Sequence, residues 1–394
     1  MPDIDIRQLH RDEKWDVLHA LTNYAFRSSP PLMEKEEFME KAKDREDDIV
    51  WGLFEKGEPA ACTAESVMRQ QIRGRLFSMS GIWGVATHPA ARRRGFAKKL
   101  LNITLSHAHE EGRTVSCLYP FRESFYERLG YVTFPQPKKA ILDTKSLAPA
   151  LTLDLEGTVE MVGIKDGYDR YRDFLSTYQS RVHGMALSAS GHRHRSQENE
   201  SWVAFAKHED QIIGVMTYAM KGEHVTQFTM EVSRFYYLNS LGKYLLLNWM
   251  ARHIDQAKEV ELWIPPHAHP ETWLSDLNLS TRQLYISPMG RILNLEELEG
   301  IEVGPGRFHV QIKDPFCPWQ KGMWAFQSQE GKLAVQPSAQ ADLTLSIQGL
   351  SALIYGTHTV EDFQYRDWGN PSPQMMRTLT SMFPVKTPYI HEFF

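Results

Sequence analysis

The stretch 75–111 narrows the possible fold more than any other part of the chain. Strand-forming residues run from 75 to 87, with Gly81 and Gly84 inside the run. Pro89 then turns the chain, Arg92-Arg-Arg-Gly follows, and helical spacing places Ala97, Leu100, Leu101, Leu105 and Ala108 on one face, predicting a helix over 92–111. Glycine weakens a strand, so two of them predict a bulge or the close approach of another group. A helix start leaves backbone N–H groups unpaired and carries partial positive charge, which suits it to phosphate oxygens. Gly95 would let the backbone come close to such an anion, and Arg92, Arg93, Arg94, Lys98 and Lys99 add charge. The macrodipole disfavours basic residues at a helix start, so an anion site explains this stretch better than chance does.

Around it the first third alternates strands and helices, forming one α/β unit over residues 1–145. A second unit, 146–289, repeats the order strand, strand, strand, helix, strand, which predicts an internal duplication. It reads as helix 168–180, strands 202–208, 211–220 and 227–233, helix 240–253, and closing strands 259–264 and 289–293. The third unit, 290–394, reads as short strands with helices at 350–355 and 373–382. Three units agree with the 394-residue length at roughly 100–200 residues per domain. The turn Val303-Gly-Pro-Gly-Arg lacks the strand-to-helix setting of a phosphate loop.

Composition excludes several function classes. Lys and Arg total 44 against 49 Asp and Glu, a formal charge of -5, which argues against a dedicated nucleic-acid binder. Three dispersed cysteines, Cys62, Cys117 and Cys317, form no CxxC pair and favour a reducing compartment. The N-terminus lacks a signal pattern and no apolar run approaches the ~18–20 residues of a membrane span. A cytoplasmic location without a membrane span is therefore expected. The pairs His192/His194, His107/His109 and His267/His269 each lack a clear third ligand, so no metal is expected.

Arg92-Arg-Arg-Gly-Phe-Ala resembles the Q/R-x-x-G-x-G/A motif of the GNAT superfamily of N-acetyltransferases, which binds the pyrophosphate of acetyl-CoA. Phe125-Tyr-Glu-Arg-Leu-Gly-Tyr is similar to that superfamily's helix-and-turn motif, and Ala341-Asp-Leu-Thr-Leu-Ser-Ile followed by Leu350-Ser-Ala-Leu to a sterol-carrier-like domain. The whole chain resembles the enhanced intracellular survival (Eis) acetyltransferases. That resemblance implies an α/β (α+β) architecture of tandem GNAT folds, each a mixed central sheet flanked by helices, followed by a sterol-carrier-like α+β domain. It implies acetyl-CoA as co-substrate, contacted by Val85, Ala86 and Thr87, by Arg92, Arg93, Arg94, Gly95, Phe96, Ala97 and Lys98, and by Phe121 and Arg122. It also implies Tyr126 as general acid, the C-terminal carboxylate of Phe394 as base, a primary-amine acceptor (aminoglycoside, polyamine or lysine-type), and a homo-oligomer, commonly a hexamer.

Amine acetylation needs these roles. A lysine-like amine of pKa ~10.4 is charged at pH 7 and must lose a proton, while the departing thiolate must gain one. A phenol of pKa ~10 is protonated at pH 7 and can donate. His391 and Glu392 stand beside Phe394 as alternative bases. In the second unit Tyr237-Leu-Asn-Ser-Leu-Gly-Lys-Tyr replaces the arginine loop, predicting a degenerate copy that lost the cofactor. Two other readings remain open at this point: a carrier of lipid or hydrophobic ligand built on the third unit, and a non-catalytic acyl-CoA-binding protein.

Overall fold

The computed structural model describes residues 3–27, 29–189, 201–283, 286–390 and 392–394. They divide into two compact units, one of 1–134, 183–193 and 288–394, the other of 135–182 and 194–287.

In the first unit, β1 (Ile4–Leu9), α1 (Arg11–Arg27), α2 (Lys35–Ala42), β2 (Ile49–Glu55), β3 (Glu58–Ile72), β4 (Arg75–Thr87), α3 (Phe96–Glu110), β5 (Val115–Leu118), α4 (Glu123–Glu127) and β6 (Val132–Thr133) follow one another. β1 to β4 are antiparallel, whereas β4 and β5 are parallel, joined by the α3 crossover that such a pair requires. Strand Met289–Ile292 lies between β5 and β6, and Ala186–Ser188 pairs with β3, completing an eight-stranded sheet. The apolar face of α1 packs Leu18 and Leu21 on one side of this sheet with Cys62, Ala64 and Ala86. On the other side, Leu101, Leu105 and Ala108 of α3 pack with Ile82 and Leu118.

The sequence-derived helix over 92–111 starts four residues too early. Arg93 and Gly95 take positive φ, so 92–95 form a loop and the helix begins at Phe96.

The rest of this unit is a four-stranded sheet in the order Lys332–Pro337, Gly322–Gln329, Arg307–Lys313, Leu343–Ser346, with helices Ile347–Tyr355 and Pro373–Met382. Its core is continuous with one face of the first sheet: Leu350, Leu353, Ile354 and Phe363 cluster with Met68, Met79, Val115 and Cys117. Buried polar groups seal the junction. Tyr355 donates to Gln70 Oε1 (2.9 Å), and Arg73 donates to the carbonyls of Ile354 (2.8 Å) and Leu353 (3.0 Å). Arg291 forms an enclosed ion pair with Asp314.

The second unit is a seven-stranded sheet in the order 279–283, 138–143, 257–264, 228–237, 211–221, 202–208, 158–163. Three antiparallel pairs followed by the parallel pair 228–237/257–264 repeat the first sheet from β1 to β5. Two strands depart from their sequence-based placement. Residues 138–143, expected in the first unit, pair with 257–264, and 289–292, expected in the second, pair with β5. Each strand takes the sixth place in the sheet of the other copy, so the duplicated folds exchange one strand each. The two segments differ in pattern, 138–143 alternating in part between half-buried and buried and 289–292 buried throughout, and neither pattern names the sheet it joins.

Candidate active site

The site forms where β4 and β5 part. They pair only through Met79–Ile82 and Val115–Leu118. Beyond Ile82, β4 keeps β3 as its strand neighbour. There the ladder shifts: Cys62 faces Ala86 and Ala64 faces Trp83, so Gly84 and Val85 together oppose Thr63. Gly84 has φ +60°, a conformation open mainly to glycine. The Cys62 thiol donates to the Gly84 carbonyl (3.4 Å), holding the bulge. The bulge takes Val85 out of register on the edge of β4 that β5 leaves open.

Eight residues, 88 to 95, then connect β4 to α3. Pro89–Ala91 make a 3-10 turn in which the His88 ring accepts from the Ala90 N–H (3.3 Å). Arg93 (φ +62°) and Gly95 (φ +81°) curl the backbone over the helix start, and a Cβ at Gly95 would meet nothing within 4 Å. Gly95 makes no side-chain cap, and Arg92, Arg93 and Lys98 are exposed around it. This is a curved, uncapped and basic helix start, the chemistry of a pyrophosphate cradle. Arg94 has a different partner: its guanidinium forks onto both oxygens of Glu55, holding that carboxyl below its ordinary range. Phe96 packs inward beneath the cradle, and Ala97 is half-buried behind it.

Tyr126 approaches the gap from the α3 side. Its ring, 3% exposed, packs with Ile82, Leu101, Leu105 and Leu118 and edge-on to Phe125 and Phe121, while Phe121 and Arg122 themselves are exposed. Burial pushes the phenol's pKa well up, so it holds its proton at neutral pH. Two other buried tyrosines of this unit use their hydroxyls internally: Tyr131 with Ser116 (2.8 Å) and Tyr355 with Gln70. No hydrogen bond joins the Tyr126 hydroxyl to the described residues.

The C-terminal segment arrives on the opposite sheet face. Tyr389 N–H donates to the His183 carbonyl (2.9 Å), Glu392 accepts from Ser188 N–H (2.7 Å), and Tyr119 O–H donates to the Glu392 carbonyl (3.2 Å). Phe393 stacks on Tyr119, and the buried Phe394 ring lies against Gly81, where a Cβ would come within 2.9 Å of it. Of the two strand glycines, Gly84 thus makes the bulge and Gly81 admits the tail. Glu392, read from sequence as an alternative base, is a tether in the structure; His391 lies outside the described residues.

Comparison with known proteins agrees with this geometry. Residues 5–134 match the family model described as an acetyltransferase (GNAT) domain, and residues 295–391 match that of a sterol carrier protein domain. No curated protein sequence matches the chain. Among solved structures, a conserved protein of Enterococcus faecalis superposes with TM-score 0.84 at 19% identity, covering 100% of both chains. A GCN5-related N-acetyltransferase from Kribbella flavida gives 0.83 at 19%, covering 99% of each. An Eis protein of Mycobacterium abscessus gives 0.79 at 14%, covering 100% of both. At such identities the likeness is one of fold. The chain carries a GNAT acetyltransferase domain. By that domain it is an enzyme of the N-acetyltransferase class, built as tandem GNAT-like folds with a sterol carrier domain behind them.

The second GNAT-like fold keeps the bulge and loses the cradle. Its ladder shifts where Thr217 faces Arg234 and Tyr218 faces Val232, leaving Ser233 extra. Only Leu238 and Asn239 separate strand 228–237 from helix Ser240–Ala251, against eight residues in the first copy. Asn239 caps that helix by accepting from Gly242 N–H (2.9 Å), and a Cβ at Gly242 would stand 2.3 Å from the Ile213 carbonyl. The helix start that is uncapped, open and basic in one copy is capped and packed in the other.

Sequence reading missed a polar cluster beneath α3. Glu65 is fully enclosed, with Arg113 Nε at 3.4 Å and His107 Nδ1 at 3.8 Å, and burial raises its pKa. A glutamate in the middle of β3 was the available signal. His109 stacks on Trp319 (4.9 Å), and the pair His192/His194 lies outside the described residues. Among the described residues no group of three His, Cys, Asp or Glu is placed to hold a metal ion. Likewise no helix among them is long and apolar enough to cross a membrane.

Proposed function

We propose that the chain is an acetyl-CoA-dependent N-acetyltransferase acting on primary amines of aminoglycoside, polyamine or lysine type. The observation that carries this reading is Tyr126: a buried, protonated phenol beside the β4–β5 gap whose hydroxyl has no partner among the described residues. The ring is buried while its unpaired hydroxyl is not among the sealed-off polar atoms, so the hydroxyl can meet a ligand atom in the gap.

The acetyl-CoA pyrophosphate suits the 92–98 cradle, with Arg92, Arg93 and Lys98 supplying charge, while Val85, Ala86 and Thr87 border the extended arm and Phe121 and Arg122 its far side. Val85 N–H, freed by the bulge, donates to the thioester carbonyl oxygen as negative charge grows there. The Phe394 carboxylate, directly or through water, takes one proton from the substrate ammonium so that the neutral amine can attack, and the second proton that the nitrogen gives up after attack restores Tyr126. As the new C–N bond forms and the C–S bond breaks, Tyr126 gives its proton to the departing thiolate. Support for the base comes from the Phe394 ring seated on Gly81, at the end of the β4–β5 pairing. The homo-oligomeric state and the cytoplasmic location are parts of the same proposal.

Replacing Tyr126 by Phe should leave acetyl-CoA KM within about threefold and lower kcat by about 10²–10⁴. Adding one glycine after Phe394 moves the carboxylate while keeping both rings, and should lower kcat by more than tenfold. Normal turnover in the extended chain would remove that carboxylate from the reaction.

A further inference from the structure

Tyr126 stands on α4, a helix of only five residues with no side-chain cap at its N-terminus. A helix of that length does not hold itself, so its surroundings decide where the phenol sits. Its C-terminal turn is gripped from outside. The Glu127 carbonyl accepts from Gln348 Nε2 (2.7 Å), and the Leu129 carbonyl accepts from Arg291 Nη1. Inside the turn, the Tyr126 carbonyl accepts from the N–H groups of Leu129 (2.9 Å) and Tyr131 (3.2 Å), and Gly130 N–H donates to the Glu127 carbonyl (2.9 Å). These bonds link the two outer donors to the backbone of Tyr126 itself.

Both donors belong to structure that is distant in sequence. Gln348 lies in the sterol carrier domain, and Arg291 lies on the exchanged strand 289–292. Arg291 is fully buried, and its Nη2 donates to Asp314 of the sterol carrier domain. Asp314 uses its other oxygen to accept from the N–H groups of Phe316 (3.1 Å) and Cys317 (2.9 Å). Phe316 and Cys317 pack in the same apolar cluster as Tyr126 and Leu129. Gly130, the glycine of the helix-and-turn motif, has φ +94°, and a Cβ there would come within 2.8 Å of both Arg291 Nη1 and Ile347 Cγ2. The turn thus rests directly on Arg291 and on helix Ile347–Tyr355. Buried polar networks of this kind rigidify the groups they bind.

We infer that Gln348 and the Arg291–Asp314 pair are positioning groups that hold the Tyr126 hydroxyl in the β4–β5 gap, so that the sterol carrier domain sets the general acid. The inference rests on the acetyltransferase reading above and gives that domain a part in the reaction beyond its C-terminal segment.

The test is a double-mutant cycle in the full chain between Gln348→Ala and Tyr126→Phe, read by steady-state kinetics and thermal unfolding. Gln348→Ala should lower kcat by about tenfold or more, because small misplacements of a reacting group are costly. The KM values for acetyl-CoA and amine should stay within about twofold. In the Tyr126→Phe background the same substitution should change kcat by less than about twofold, since no hydroxyl is left to misplace. Arg291→Met combined with Asp314→Asn removes both charges together, leaving neither buried alone, and should show the same dependence on Tyr126. That paired replacement decides the matter if Gln348→Ala folds poorly. An unchanged kcat, or an equal loss with and without the Tyr126 hydroxyl, overturns the inference and leaves the acetyltransferase reading standing. Full activity in Tyr126→Phe, or no amine-dependent thiol release by the wild type, overturns both.

Discussion

At the scale of single residues, two buried tyrosines close in sequence illustrate how packing and chemistry separate. Tyr131 and Tyr126 are both almost fully enclosed, yet only Tyr131 spends its hydroxyl on a neighbour, Ser116. Sequence alone presented Tyr126 as one more aromatic on an aromatic-rich helix, and the family motif was needed to single it out. The arginine loop divides in a similar way. Its charge was legible in the sequence, but not that Arg94 would be taken by Glu55, 39 positions earlier. Replacing Arg92 and Arg93 by alanine should therefore raise acetyl-CoA KM by tenfold or more. Arg94→Ala should act more weakly on KM, because its guanidinium is committed to Glu55. Steady-state kinetics on the variants checks both.

At the scale of elements, the β4 strand and the C-terminal segment are built for each other. Gly81→Ala places a methyl 2.9 Å from both Phe394 and Met68. Overpacking of this kind costs about 1–3 kcal/mol, and the tail is the part able to leave. The variant should lose kcat more than stability, with limited proteolysis cutting earlier in the last residues. His183 supports the same segment from the other side. Its Nδ1 accepts from Arg73 N–H (3.1 Å), its Nε2–H donates to the Tyr355 carbonyl (2.8 Å), and its own carbonyl holds Tyr389. Burial lowers its pKa to about 3, so the folded chain keeps this ring neutral while the unfolded chain protonates it near the ordinary value of 6.5. Stability from this group is therefore intact above pH 6.5 and declines as pH falls toward 3, by about 3 kcal/mol at pH 4.5. Thermal unfolding of His183→Gln should show a shallower acid slope than the wild type, and parallel slopes would contradict this assignment. The tail's aromatic character announced that it docks. Its landing place was not legible, because Gly81 and Phe394 are brought together only by the fold.

At the scale of the whole molecule, the duplication could be read from the order of strands and helices, whereas the exchange of strands could not. Neither residues 138–143 nor 289–292 carry a pattern that names their sheet. A fragment of residues 1–145 leaves β5 and β6 without the strand between them, exposing two unpaired edges. It should aggregate or unfold without cooperativity, and adding residues 286–394 as a separate chain should restore a cooperative transition in circular dichroism. A fragment that unfolds cooperatively alone would show that the exchanged strand is dispensable. The same long-range construction places Tyr126 and the Phe394 ring on opposite faces of one sheet. Tyr126 comes from the helix after β5, and Phe394 from the segment that follows the sterol carrier domain.

The central claim concerns the gap between β4 and β5, and amine-dependent release of thiol from acetyl-CoA tests it most directly. In parallel assays of the wild type and Tyr126→Phe, the wild type should release thiol only when a primary amine is present. The variant should bind acetyl-CoA equally well and turn over at least about a hundredfold more slowly. Thiol release by the variant at the wild-type rate, or no amine-dependent release by the wild type, would contradict it.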